Sequence, residues 1–128
     1  MTALITPLYA LPLVALFLLL SWRVIAERRG KRFAYGDNDS PRIQAKIRAQ
    51  GNWAEYTPIT LFLMLTAELM GASAALVHAT GITLLIGRVM HGIGMSYIPK
   101  QFFYRQWGML LTLIAVALAM LANIMAYL

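Results

Sequence analysis

Residues 107–128 read WGMLLTLIAVALAMLANIMAYL, a stretch without a single charged side chain. A helix of about 20 apolar residues crosses the roughly 30 Å of hydrocarbon in a bilayer. Three other apolar stretches of comparable length precede it, at residues 4–26, 51–70 and 72–92. The sequence therefore predicts an all-α fold, an integral membrane four-helix bundle that forms a single domain over residues 1–128.

The composition agrees with a membrane protein. Of the 128 residues, 60% are hydrophobic and 12% are charged, and the mean hydropathy is +0.66. A soluble domain usually carries about 25% charged residues, so the composition excludes a disordered chain and disfavours an ordinary soluble globule. The chain has no cysteine, which excludes disulfides, thiolate metal sites and cysteine nucleophiles. No metal site is predicted.

Positive charge is concentrated in the first connection. The net charge is +6, from 11 Lys and Arg against 5 Asp and Glu. Between residues 23 and 48 lie Arg23, Arg28, Arg29, Lys31, Arg32, Arg42, Lys46 and Arg48. In a soluble protein this charge would indicate nucleic-acid binding. Beside apolar spans it indicates a cytoplasmic loop near anionic membrane lipid, and no nucleic-acid partner is predicted.

The connections between spans differ in charge. The first and third contain basic residues, including Lys100 and Arg105 in the third, whereas the link near Gly71 and both termini contain none. By the positive-inside rule the first and third connections lie in the cytoplasm, and both termini lie on the non-cytoplasmic side. The brevity of the chain favours a bacterial inner membrane.

The second helix is predicted to begin with Ser40 as N-cap and Pro41 as its first residue, and to end near Met70. Such a helix is about 45 Å long, which exceeds the thickness of the hydrocarbon. Its first third therefore lies in the cytoplasm or among the headgroups.

Polar residues of three helices are predicted to meet at this cytoplasmic boundary. On the second helix Arg48, Asn52 and Glu55 follow at i, i+4 and i+7 on one face, which Tyr56 borders. The third helix offers Arg88 and His91 at i and i+3, and Arg105 opens the fourth. Glu68 and His78 lie near the outer face, far from this cluster, and are predicted to be structural.

This inventory matches a small peptide-like dianion with one amine. Guanidinium groups bind carboxylates through two parallel hydrogen bonds, Glu55 could accept from an ammonium group, and Asn52 could pair with an amide. A remaining arginine could stabilise a thiolate or an oxyanion. Interhelical ion pairs that only hold the bundle together explain the same residues equally well.

Three segments resemble motifs of the MAPEG family, the membrane-associated proteins in eicosanoid and glutathione metabolism. RAQGNWAEYTP at residues 48–58 is similar to the motif of the family's second helix. RVMH at residues 88–91 and YRQWGM at residues 104–109 resemble the motifs of its third and fourth helices. AYGD at residues 34–37 is typical of the small bacterial branch.

The resemblance implies a homotrimer that binds glutathione, as a co-substrate, between neighbouring subunits on the cytoplasmic side. The implied binding residues are Arg48, Asn52, Glu55 and Tyr56 of one subunit with Arg88 and His91 of the next. Arg105 is the implied catalytic residue, which favours the thiolate that attacks a lipophilic electrophile from the bilayer. An arginine of the first loop also joins the site in the family, and the sequence leaves Arg28, Arg29 and Arg32 as candidates.

These observations predict a glutathione-dependent membrane transferase, with conjugation, peroxidase and isomerase chemistry left open. One alternative is a non-catalytic MAPEG-fold protein that binds a lipid or a partner, because Met95 stands where several members have a tyrosine. Another is a small multidrug exporter, which the chain length, the four helices and Glu55 favour. Such exporters typically use a carboxylate in the first helix, and this chain has none there before Glu27.

Overall fold

Four α-helices make up nearly all of the chain that the computed structural model describes, residues 5–96 and 101–128. They are α1 (Thr6–Lys31), α2 (Pro41–Leu69), α3 (Ala74–Ser96) and α4 (Phe102–Tyr127). No strand occurs in these two ranges, so the all-α prediction is confirmed. Residue 4, where the first span was predicted to begin, and Lys100 lie outside the described residues.

Three of the helices, α1, α3 and α4, are long and apolar enough to cross a membrane. The remaining helix, α2, has 29 residues and is also long enough. Its mean hydropathy is lower than that of the other three helices, because Asn52, Glu55 and several basic residues lie in its first half. The crossing by α2 and the orientation of the termini stay predictions from the sequence.

The helices pack with α2 and α3 at the centre. Each of these two contacts all three other helices, whereas α1 and α4 do not contact each other within the described residues. Leu13, Met64, Val77 and Leu84 are buried in the core between them. Leucines and isoleucines on the outer faces of α1, α3 and α4 remain exposed, as expected for helices that face lipid.

The contact between α3 and α4 is made backbone against backbone. A Cβ atom added to Gly108 would lie 2.4 Å from the backbone nitrogen of His91, and one added to Gly94 would lie 2.3 Å from that of Arg105. Further along α4, Ala115 and Ala119 are fully buried. Small residues let helices approach this closely, and the contact brings Arg105 next to α3.

Side-chain hydrogen bonds tie the other end of the bundle together. Glu68 Oε1 and Oε2 accept from the backbone N–H groups of Ile5 and Thr6 at 2.6 and 2.8 Å. A carboxylate there satisfies orphan donors and complements the helix dipole of α1. The Tyr9 hydroxyl is 2.8 Å from Nδ1 of His78. Glu68 and His78 thus both connect their helices to the start of α1, as the structural role predicted for them requires.

The start of α2 matches the prediction in position and differs in detail. Pro41 is the first helical residue and Ser40 occupies the N-cap, but the Ser40 side chain makes no capping hydrogen bond. The backbone N–H of Ser40 instead donates to the carbonyl of Asp37 at 3.0 Å. Asn38 and Asp39 adopt positive φ angles in this turn, a conformation that Asn and Asp tolerate better than most residues.

Candidate functional site

Arg48, Asn52 and Glu55 lie on one face of α2, as their spacing predicts. Arg48 Nη1 donates to Glu55 Oε1 at 3.3 Å, with 52% and 51% of the two side chains exposed. Because both residues belong to α2, this ion pair does not join two helices, and half of each side chain remains exposed to other partners.

Arg88 brings a positive charge into the interior of the bundle. Only 2% of the residue is exposed, and its Nη1 donates to Oδ1 of Asn52 at 2.8 Å and to the Asn52 carbonyl at 3.2 Å. Its Nε and Nη2 are buried without a hydrogen-bond partner. Among residues 5–96 and 101–128, no carboxylate forms an ion pair with it. Arg88 thus keeps donors for an acceptor that the described chain does not supply.

Asn52 and Arg88 meet within one chain. The resemblance had implied that they come from neighbouring subunits. Since α2 and α3 pack side by side, this contact of the predicted site needs no second subunit.

A cavity of about 620 Å³ lies where α2, α3 and α4 come together. Asn52, His91 and Arg105, one from each helix, line its polar end. The rest of its wall comes from α4: Phe102, Gln106, Met109, Leu110 and Leu113. Of the predicted site residues, the structure thus brings one from each of three helices to one cavity, beside mostly apolar residues of α4.

The other predicted site residues, Arg48, Glu55, Tyr56 and Arg88, are not among the described residues that line this cavity. Arg48 and Glu55 lie on the exposed side of α2, and Tyr56 is half-buried. Arg28, in the last turn of α1, donates from Nε to the carbonyl of Gly36 at 3.2 Å, so this arginine contacts the loop that follows its helix.

The residues that sequence reasoning missed are the cavity-lining residues of α4 other than Arg105, and the glycines. Phe102, Gln106, Met109 and Leu113 recur at helical spacing beside Arg105, so they share one face. That periodicity could have identified them. Gly94 and Gly108 carried no such signal, because spacing along one helix does not tell which neighbour touches it.

The helices that carry these polar residues lie in a region that matches a known protein family. A sequence profile of the MAPEG family matches residues 6–125. The chain belongs to the MAPEG family. The match begins at the first residue of α1 and ends within the last turn of α4. It therefore covers nearly the whole four-helix bundle of this MAPEG protein.

Two curated relatives of this MAPEG protein are similar over most of their length. Both are named Inner membrane protein YecN, one from Escherichia coli strain K12 and one from Escherichia coli O6:H1. Each is 40% identical over 120 residues, which cover 94% of this chain and 90% of the relative. With the three candidate spans, they identify this MAPEG chain as a membrane protein.

Proposed function

We propose that this MAPEG protein is a glutathione-dependent transferase that acts on lipophilic electrophiles in a bacterial inner membrane. The observation that carries the proposal is the 620 Å³ cavity. It combines polar groups from three helices with an apolar wall on α4. A charged peptide and an apolar second substrate require such neighbouring surfaces, and the cavity is within the size range of about 300–1,000 Å³ for small-molecule sites.

The polar residues suit the groups of glutathione, which has two carboxylates, one ammonium group and two amides. The unpartnered donors of Arg88 would bind a carboxylate, and Arg48 the other. Glu55 would accept from the ammonium group, and the Asn52 side chain would pair with a peptide amide. Tyr56 and His91 border these groups and would complete the site.

Arg105 is assigned the catalytic role, because it is the cation in the cavity wall next to the apolar surface. A nearby cation lowers the pKa of a thiol below its free value of about 8.5. The thiol proton leaves to solvent, and the thiolate sulfur forms a bond to the electrophilic carbon. The leaving group departs with the electron pair of the bond that breaks. Phe102, Met109 and Leu110 would hold the apolar part of the electrophile.

The site is proposed to face the cytoplasm, where glutathione is present. The basic first connection supports this orientation through the positive-inside rule. The name of the Escherichia coli relatives, inner membrane proteins, supports the choice of membrane.

Isothermal titration with glutathione in detergent tests the binding step. The wild-type protein should bind, and Arg48→Ala should lose about 1.5–3 kcal/mol of binding free energy, because it removes a charged hydrogen bond. Arg42→Ala is the matched control, since Arg42 lies on the same helix in contact with Glu27, away from the cavity. Absence of wild-type binding at millimolar glutathione would contradict the proposal.

A second candidate function is ligand binding without catalysis. Met95 is buried and packs in the hydrophobic core, so the position where several family members carry a tyrosine offers no hydroxyl here. An aryl halide conjugation assay separates the two functions. Turnover that Arg105→Gln abolishes and Arg105→Lys partly retains supports the transferase. Glutathione binding without turnover over a broad electrophile panel supports the second candidate.

A further inference from the structure

A second cavity lies at the C-terminal end of α1, where this helix packs against the start of α2. Its volume is about 380 Å³. It is lined by Trp22, Arg23, Ala26, Glu27, Gly30, Lys31 and Lys46. None of these residues lines the cavity of Asn52, His91 and Arg105. We call this second cavity the Trp22 pocket.

The wall of the Trp22 pocket carries more positive than negative charge. Its cations are Arg23, Lys31 and Lys46, and its acid is Glu27. The Glu27 carboxylate accepts a hydrogen bond from Lys46, which fixes that lysine, and lies 4.0 Å from the Lys31 ammonium group. Glu27 also lies 3.6 Å from Arg42. The lining therefore holds three cations and one carboxylate, a charge balance that attracts an anion.

The position of the pocket along α1 fits the phosphate level of a bilayer. A helix of 26 residues is about 39 Å long, whereas the hydrocarbon core is about 30 Å thick. The last turns of α1 therefore extend into the headgroups. Trp22 is 58% exposed at this level, and tryptophan is enriched where the hydrocarbon meets the headgroups.

Space at the pocket comes from Gly30. A Cβ atom added there would meet nothing within 4 Å, so the side of α1 that faces the pocket is open. Lys31 next to it has 46% of its side chain exposed and can turn toward an incoming group.

We propose that the Trp22 pocket binds the phosphate group of an anionic phospholipid. Lys31, Arg23 and Lys46 bind the phosphate oxygens, and Trp22 contacts the glycerol and the upper acyl chain. Basic pockets between transmembrane helices on the cytoplasmic side bind anionic headgroups in this way. A zwitterionic lipid binds less well, because its own ammonium group is repelled by the surplus positive charge.

Native mass spectrometry of the detergent-purified protein tests this site, with phosphatidylglycerol and phosphatidylcholine offered at equal concentrations. Phosphatidylglycerol should be retained preferentially by the wild type. Lys31→Gln should reduce its retention about fivefold, the effect of one basic residue near an anionic surface. Arg29→Gln removes the same charge from an exposed position on the same helix and should leave retention nearly unchanged.

Gly30→Leu distinguishes a pocket from a diffuse charge effect, because it fills the space and leaves every charge in place. It should reduce phosphatidylglycerol retention at least as much as Lys31→Gln does. Its helix content by circular dichroism should match the wild type, since the position is open. Equal loss in Arg29→Gln and Lys31→Gln, or full retention in Gly30→Leu, overturns the proposal.

Inorganic phosphate separates the lipid from a soluble source of the same chemistry. Millimolar phosphate should not displace bound phosphatidylglycerol, because it lacks the contacts of the glycerol and acyl chain with Trp22. Displacement by phosphate alone would assign the pocket to a free anion and overturn the lipid assignment.

Discussion

Arg88 places a charge in the interior where, within the described part of the chain, only Asn52 accepts hydrogen bonds from it. A buried cation with unsatisfied donors is destabilising by several kcal/mol in general, unless a partner compensates. A residue kept at that cost is typical of a binding site. Arg88 is therefore more informative about function than the exposed pair of Arg48 and Glu55.

This argument predicts the behaviour of Arg88→Met. Methionine fills a similar volume without charge, so the melting temperature in detergent should stay the same or rise, because the unsatisfied donors are removed. Glutathione binding should fall by at least about tenfold, the loss of one charged hydrogen bond. The measurements are thermal unfolding and isothermal titration on the same preparation. A large fall in melting temperature with unchanged glutathione affinity would assign Arg88 to the structure alone.

The sequence alone predicted which residues share a face of the same helix. The common face of Arg48, Asn52 and Glu55 follows from the period of the helix. The contact between Arg88 and Asn52 did not follow, because it depends on how α2 and α3 are rotated against each other.

At the scale of the helices, the pair α3 and α4 positions the site. Gly108 fits against the backbone of His91, and Gly94 fits against the backbone of Arg105. Two of the three polar side chains that line the cavity, His91 and Arg105, thus belong to residues whose backbone a glycine of the opposite helix contacts. Any increase in size at these glycines must push the helices apart.

Gly108→Ala tests this contact. The added Cβ atom would lie 2.4 Å from a backbone nitrogen, which a flexible side chain cannot relieve. The free energy of unfolding should fall by about 1–3 kcal/mol, as in other overpacked interiors, and glutathione affinity should fall with it. Gly30→Ala is the control, because its Cβ atom meets nothing and alanine stabilises a helix by about 0.5–1 kcal/mol. Equal melting temperatures of the two variants would contradict the packing argument.

The elements themselves were largely predictable, because long apolar runs and polar connections leave few choices. The predicted limits of the second helix, Pro41 and about Met70, agree with the observed Pro41–Leu69. The α4 helix begins at Phe102, before the apolar run that starts at Trp107. Its first turn contains Phe102, Phe103 and Arg105, so the helix begins three residues before Arg105, which the sequence placed at its opening.

At the scale of the whole molecule, a single chain leaves charge exposed where lipid would lie. Glu55 is about 21 Å along α2 from Leu69, which is within the roughly 30 Å of hydrocarbon if α2 crosses the membrane. Half of its side chain is exposed. On the same helix, Ile59 and Phe62 are exposed apolar residues. Charged side chains at this depth almost always face protein or a water-filled cavity.

We therefore predict that copies of the chain cover this face of α2, and we propose three copies, the number that the family resemblance implies. Native mass spectrometry in mild detergent should give a mass three times the 14.3 kDa of one chain. Phe62→Arg should shift the population toward single chains, since it would place a second charge at the covered face, whereas Phe103→Arg near the start of α4 should not. A wild-type protein that remains a single chain under the mildest conditions would contradict the assembly, and Glu55 would then need another partner within the membrane.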